Sequence, residues 1–370
     1  MLSSHGGNIK EASEKYNLSS ENILDFSANI NPLGLPARVR KIITDNINSI
    51  LHYPDPECTE LKKELSKHLK VDSKNLIVGN GSIELIFLIA HALQPKVGSM
   101  EEPKRVLIPI PTFSEYESVV NLVNGKCFLL KTKETENFEI KIEQIIKRLP
   151  GMDLVFLCNP NNPTGFIFSR EKLLALVKNC RRYNVTLVID EAFIDFVKNA
   201  ARLTMVKIAA NSPNILVLRS LTKFFAIPGL RIGCLVGNKK IVENISKFQI
   251  PWSVNCFGQL VGKEVINDSS YIKKTREYIF GEREIFFKKL EKINGLKPYP
   301  SSANFILCKL TGNKFNSKTL SGSLARKGIL IRDCSNFRGL NNKFFRVAVR
   351  KRNENLLLIN ELNKTLNNEL

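Results

Sequence analysis

Seven short apolar runs fill the middle of the chain and leave little freedom in how it can fold. They are NLIVG (75–79), RVLIPI (105–110), KCFLL (126–130), DLVFLC (153–158), VTLVID (185–190), ILVLRS (215–220) and RIGCLVG (231–237), and stretches of helical character separate them. Residues that are apolar at consecutive positions suit strands buried on both faces, with the intervening helices as covers. The pattern predicts an α/β fold with a mostly parallel seven-stranded sheet and helices on both faces. From about residue 272 the character changes. A long charged helix leads into strand candidates ANFILCK (303–309), GILIR (328–332) and FFRVAV (344–349), with a last helix near 353–367. That predicts a smaller α+β domain. Residues 1–50 lack the sheet pattern and are expected to join it, so the expected division is 51–270 for the large domain and 1–50 with 271–370 for the small one.

An open α/β sheet places its ligand crevice at the carboxyl ends of its strands. Three polar motifs stand there: NPNNPTGF (159–166) after DLVFLC, EAFIDF after Asp190, and LTKFFAIPGLRIG (221–233) after ILVLRS. Lys223 is flanked by Ser220 and Thr222 on one side and an apolar stretch on the other, where an amine loses hydration and gains nucleophilic character. Asp190, ending an apolar strand, would be costly there without a cation. A lysine that can condense with an aldehyde and a buried carboxylate for a pyridinium nitrogen are what pyridoxal phosphate chemistry requires.

NPNNPTG, DEAF, SLTKFFAIPGLRIG and FRVAVR, in this order and spacing, resemble the aminotransferase class I/II family of fold-type I pyridoxal-phosphate enzymes over essentially the whole chain. The resemblance implies pyridoxal 5'-phosphate as cofactor and a homodimer with active sites at the subunit interface. It makes Lys223 the Schiff-base lysine, Asp190 the partner of the ring nitrogen and Asn162 a donor to the phenolic oxygen. Gly81 and Ser82, in GNGSIELI (79–86), fall at a helix N-terminus suited to the cofactor phosphate, with Ser220 and Arg231 completing that cup. Phe113 matches the aromatic stacked on the ring. Tyr53 matches the tyrosine that reaches the neighbouring subunit's cofactor phosphate.

Within the family, Phe193 stands where histidinol-phosphate aminotransferases usually carry tyrosine. HGGN (5–8), LDFSANINPLGLP (24–36), PWSVN (251–255) and ILIRDCSNFRGL (329–340) resemble instead the branch that decarboxylates O-phospho-L-threonine to (R)-1-amino-2-propanol O-2-phosphate for the nucleotide loop of cobalamin. The substrate-binding residues this implies are His5, Gly6, Asn29, Asn162, Arg332 and Arg346. The two arginines would clamp phosphate and carboxylate, since guanidinium forks bind either in bidentate fashion. O-phospho-L-serine, one methyl smaller, is a competing substrate, and transamination of histidinol phosphate is the alternative reaction.

The formal charge of +20 comes from 55 Lys and Arg against 35 Asp and Glu, spread along the chain without basic clusters interleaved with aromatics, so no nucleic-acid partner is expected. No run of about 18 apolar residues occurs, and the start lacks a basic segment followed by an apolar one; the expected setting is the cytoplasm, with no membrane partner. Eight cysteines stand singly, without C-x-x-C pairs, and are expected to be reduced thiols holding no metal.

Overall fold

The structure is a computed structural model and describes residues 5–92 and 102–367. Its strands are β1 (Leu24–Asp25), β2 (Leu76–Asn80), β3 (Arg105–Ile110), β4 (Lys126–Lys131), β5 (Leu154–Cys158), β6 (Thr186–Asp190), β7 (Ile215–Ser220), β8 (Ile232–Val236), β9 (Leu296–Pro298), β10 (Phe305–Leu310), β11 (Ile329–Leu330), β12 (Arg332–Asp333) and β13 (Phe344–Ala348). All seven expected strands form one sheet, in the order β2-β8-β7-β6-β5-β3-β4. It is parallel except for β8, which runs antiparallel to both β2 and β7.

The consecutive apolar residues explain why this sheet is central. In β5, Leu154 and Phe156 enter the core on one face, while Val155 and Leu157 enter the core on the other. Side chains alternate across a strand, so a run apolar at every position feeds two cores at once. Each such Leu or Val contributes about 1.5–3 kcal/mol on burial.

The smaller sheet has the order β12-β13-β10-β9 and is antiparallel. The expected strand GILIR breaks at Ile331. Ile329 and Leu330 pair in parallel with β1, whereas Arg332 and Asp333 pair with β13, so one extended segment serves two sheets. The long helix runs Ser269–Leu290 and starts ahead of the expected position because the Asp268 side chain accepts from the Tyr271 N–H and caps it. Among the described residues, no helix is long and apolar enough to cross a membrane.

The N-terminal segment ties the two sheets together. Phe26 donates its N–H to Leu330 and accepts from the Ala348 N–H, while the Asn31 N–H donates to the carbonyl of Lys223 at 3.0 Å.

Candidate active site

Strand register brings three remote segments to one point. Because β8 is antiparallel, it begins where its neighbours end: Asn80 lies opposite Ile232, and Ser220 opposite Gly233. Arg231, just before β8, therefore arrives beside Gly81 and Ser220. Gly81 has φ +79°, and a Cβ there would lie 2.5 Å from Nη2 of Arg231; a Cβ on Gly233 would lie 2.5 Å from the Ser82 nitrogen. Side-chain-free backbone, an arginine and a helix start (Gly81–Ala92) thus meet in one cradle, with the Ser220 hydroxyl 2.9 Å from that of Thr222. Unpaired N–H groups at a helix N-terminus and a guanidinium suit a phosphate.

Beyond this cradle lie Lys223 and Asp190. Burial pushes the Lys223 ammonium below the ordinary lysine range, and the positive charges of Arg231 and Arg346 act in the same direction, against the pull of Asp190. Its Nζ sits 5.2 Å over the ring of Phe193, which offers an apolar face and no hydroxyl. Asp190 is buried, and burial raises its proton affinity; a 2.6 Å hydrogen bond from the Tyr116 hydroxyl and one of 2.9 Å from the Ala192 N–H oppose that rise. The Phe113 ring meets Tyr116 edge-on at 5.6 Å.

The smaller sheet contributes two buried arginines. Arg332 and Arg346 are directly opposed across β12 and β13. Arg346 donates to Asn162 Oδ1 and, at 2.9 Å, to the carbonyl of Ser27, leaving Nε buried without a partner. Burial, reinforced by the charge of Arg332, pushes Arg346 down to about 10. Arg332 donates to Asn336 at 3.0 Å and lines a cavity of about 220 Å³ together with His5, Gly6, Ser27 and Lys318. The segment HGGN lines one side of this cavity. His5 Nε2 lies 3.0 Å from Glu115 Oε1, and the Gly7 N–H donates to the Ser27 hydroxyl at 2.8 Å. A Cβ on Gly6 would lie 2.3 Å from the Ser27 carbonyl, so only glycine allows this approach. Asn29 presents a buried Oδ1 without a partner, while its carbonyl accepts from Asn304.

Tyr53 is placed differently. It is 81% exposed and packs on Trp252 at 4.8 Å; Ile50, Leu51 and Ile250, near these two in sequence, are also exposed. Three groups were not expected from sequence: Tyr116, Asn31 and the pair Arg219–Asp195, whose 2.6 Å hydrogen bond joins the turn after β6 to the end of β7. For Tyr116 a signal existed, since it stands three residues after Phe113 at a helix start, the spacing that keeps two residues on one face.

These residues fit pyridoxal 5'-phosphate: a phosphate cradle that a Cβ would fill, an amine with lowered proton affinity, and a carboxylate for a ring nitrogen. The comparisons agree. Residues 21–362 match the family described as aminotransferase class I and II. The chain is 35% identical over 365 residues to the threonine-phosphate decarboxylase of Salmonella typhimurium, covering 98% of this chain and 97% of that protein. It is 36% identical over 346 residues to the histidinol-phosphate aminotransferase of Caldanaerobacter subterraneus, covering 92% of each. The crystal structure of L-threonine-O-3-phosphate decarboxylase from Porphyromonas gingivalis superposes with a TM-score of 0.80 at 27% identity, over 92% of this chain and 98% of that one. Matched along nearly its whole length by sequence and by fold, the chain belongs to the class I and II aminotransferase family, and pyridoxal 5'-phosphate is its cofactor.

Proposed function

We propose that this enzyme decarboxylates O-phospho-L-threonine, with O-phospho-L-serine as the competing substrate, and that its product serves the nucleotide loop of cobalamin. The observation that carries this reading is the opposed pair Arg332 and Arg346. Two like charges directly across a strand pair repel. Both are buried, and each donates to neutral oxygens of Asn336, Asn162 or Ser27. A ligand with two anionic ends, a phosphate and a carboxylate, relieves the repulsion and uses the donors left open. The glycine-dependent seat of HGGN beside the Arg332 cavity favours the phosphate at that end.

When bound, the cofactor supplies an electron sink for the pair left on the substrate α-carbon. Gly81, Ser82, Ser220 and Arg231 would hold its phosphate, Phe113 its ring, and Asp190 and Asn162 its ring nitrogen and phenolic oxygen. Arg332, His5, Gly6 and Asn29 hold the substrate phosphate, and Arg346 with Asn162 the carboxylate. By fixing the orientation of the substrate carboxylate, Arg346 and Asn162 would favour loss of CO2 over loss of the α-hydrogen. Lys223 Nζ then carries the replacing proton to the α-carbon. Tyr53, which is exposed, completes the phosphate site of a second subunit in a homodimer.

Purified enzyme incubated with phosphothreonine or phosphoserine is expected to release CO2. Incubated with histidinol phosphate and 2-oxoglutarate, it is expected to form little glutamate. Glutamate production without CO2 from either phosphoamino acid would reverse the assignment in favour of the aminotransferase.

The arm gives a narrower test. Gly6→Ala pushes a methyl against the Ser27 carbonyl and is expected to raise KM for the phosphosubstrate about tenfold, as two charge-assisted contacts loosen. Deletion of residues 1–8 should do at least as much. The absorbance of the lysine-linked cofactor stays as in wild type in both variants; a loss of that absorbance would place the arm in the cofactor site instead.

A further inference from the structure

Asp190 meets two neighbours of different kinds, and the choice of one of them has a consequence for the cofactor. Its Oδ1 accepts from the Ala192 N–H at 2.9 Å, and its Oδ2 from the Tyr116 hydroxyl at 2.6 Å. The second distance is that of a charge-assisted O–H···O⁻ bond. Tyr116 is fully buried, and its ring has little freedom: it stacks on Phe156 at 4.9 Å and 4°, and Phe113 abuts it at 82°. A carboxylate offers about four lone-pair directions. Two are taken by these fixed donors, which hold the plane of the group while leaving acceptor capacity for a third partner.

The chemical type of the partner matters as much as its position. An arginine or lysine at position 116 would hold Asp190 ionised, but would also cancel the negative charge that a ring nitrogen needs in order to keep its proton. A neutral donor stabilises the carboxylate form and leaves its full charge in place. Burial and the adjacent Asp190 hold the Tyr116 phenol well above its ordinary range, so it stays a donor throughout the working pH range.

We infer that Tyr116 is a positioning residue for the cofactor ring: its hydroxyl keeps Asp190 ionised and oriented so that the ring nitrogen remains protonated. Its ring also backs Phe113, so one side chain sets both the face and the nitrogen of the cofactor. The inference rests on the cofactor and holds for decarboxylation and transamination alike.

The test uses holoenzyme loaded with cofactor labelled with ¹⁵N in the ring. In Tyr116→Phe, which removes a single oxygen, the ¹⁵N resonance is expected to move toward the unprotonated position, and the cofactor dissociation constant to rise about tenfold. A resonance and dissociation constant identical to wild type overturn the inference. So does a shift that appears in Tyr116→Leu but not in Tyr116→Phe, because packing of the ring would then be the whole effect. If Tyr116→Phe does not accumulate as folded protein, 4-aminophenylalanine at position 116, a weaker donor of similar shape, is expected to shift the resonance in the same direction. An unmoved resonance in that protein also overturns it.

Discussion

Replacing Lys223 by alanine is expected to abolish the visible absorption band of the substrate-free holoenzyme and to lower turnover by about four orders of magnitude or more. The size of the effect follows from the surroundings of the amine. Burial and the charges of Arg231 and Arg346 favour its neutral, nucleophilic form, and the Phe193 face beneath it offers no substitute nucleophile. The phosphate cradle is untouched by this change, because Gly81, Ser220 and Arg231 are assembled by the register of β2, β7 and β8. Cofactor is therefore expected to remain associated without its covalent link, detectable by mass after gentle desalting. A persistent visible band in Lys223→Ala would mean that another amine forms the link.

The second large effect is expected at Arg332, where function and stability should move apart. Arg332→Met is expected to lower kcat/KM for the phosphosubstrate by about 10²- to 10³-fold, because a buried charge facing a bound anion is lost. The melting temperature of the substrate-free protein should stay level or rise by a degree or two, since the like charge opposite Arg346 is gone and a long apolar side chain replaces it. The partner left behind, Asn336, is exposed and can turn to water. Differential scanning calorimetry beside steady-state kinetics decides the matter. A melting temperature lowered by more than about 5 °C with kcat/KM unchanged would make Arg332 a structural residue.

The large sheet was legible because the interiors of most of its strands are apolar at consecutive positions, a pattern that serves two cores and has few other uses. The direction of β8 was not legible, since RIGCLVG has the same residue character whichever way it runs. Its antiparallel insertion follows from which neighbours it joins. The break at Ile331 escaped for a related reason: both halves of GILIR are good strand residues, and only the presence of β1 on one side and β13 on the other separates them. In the candidate site, the sequence expectations rested on short motifs, and residues packed behind those motifs escaped them. Lys223, Asp190 and Asn162 stand in local patterns, whereas Tyr116 reads as core in an amphipathic helix. Asn31 reads as part of a polar turn, yet its side chain donates to the Phe224 carbonyl, 193 positions away.

The position of β8 also bears on how the chain reaches its working form. Among the described residues, strand β2 pairs within the large sheet with β8, so the earliest strand of that sheet is joined to it through the latest one. Pairing β2 with β8 closes a long loop, an entropic cost that the contacts made by both strands must offset. The cradle proposed for the cofactor phosphate is made of the two sides of that junction, Gly81 from the early part of the chain and Ser220 with Arg231 from the late part. An anion site built on this junction exists only where β2 and β8 are paired, so a ligand bound there would favour the completed sheet over any form that lacks the pairing.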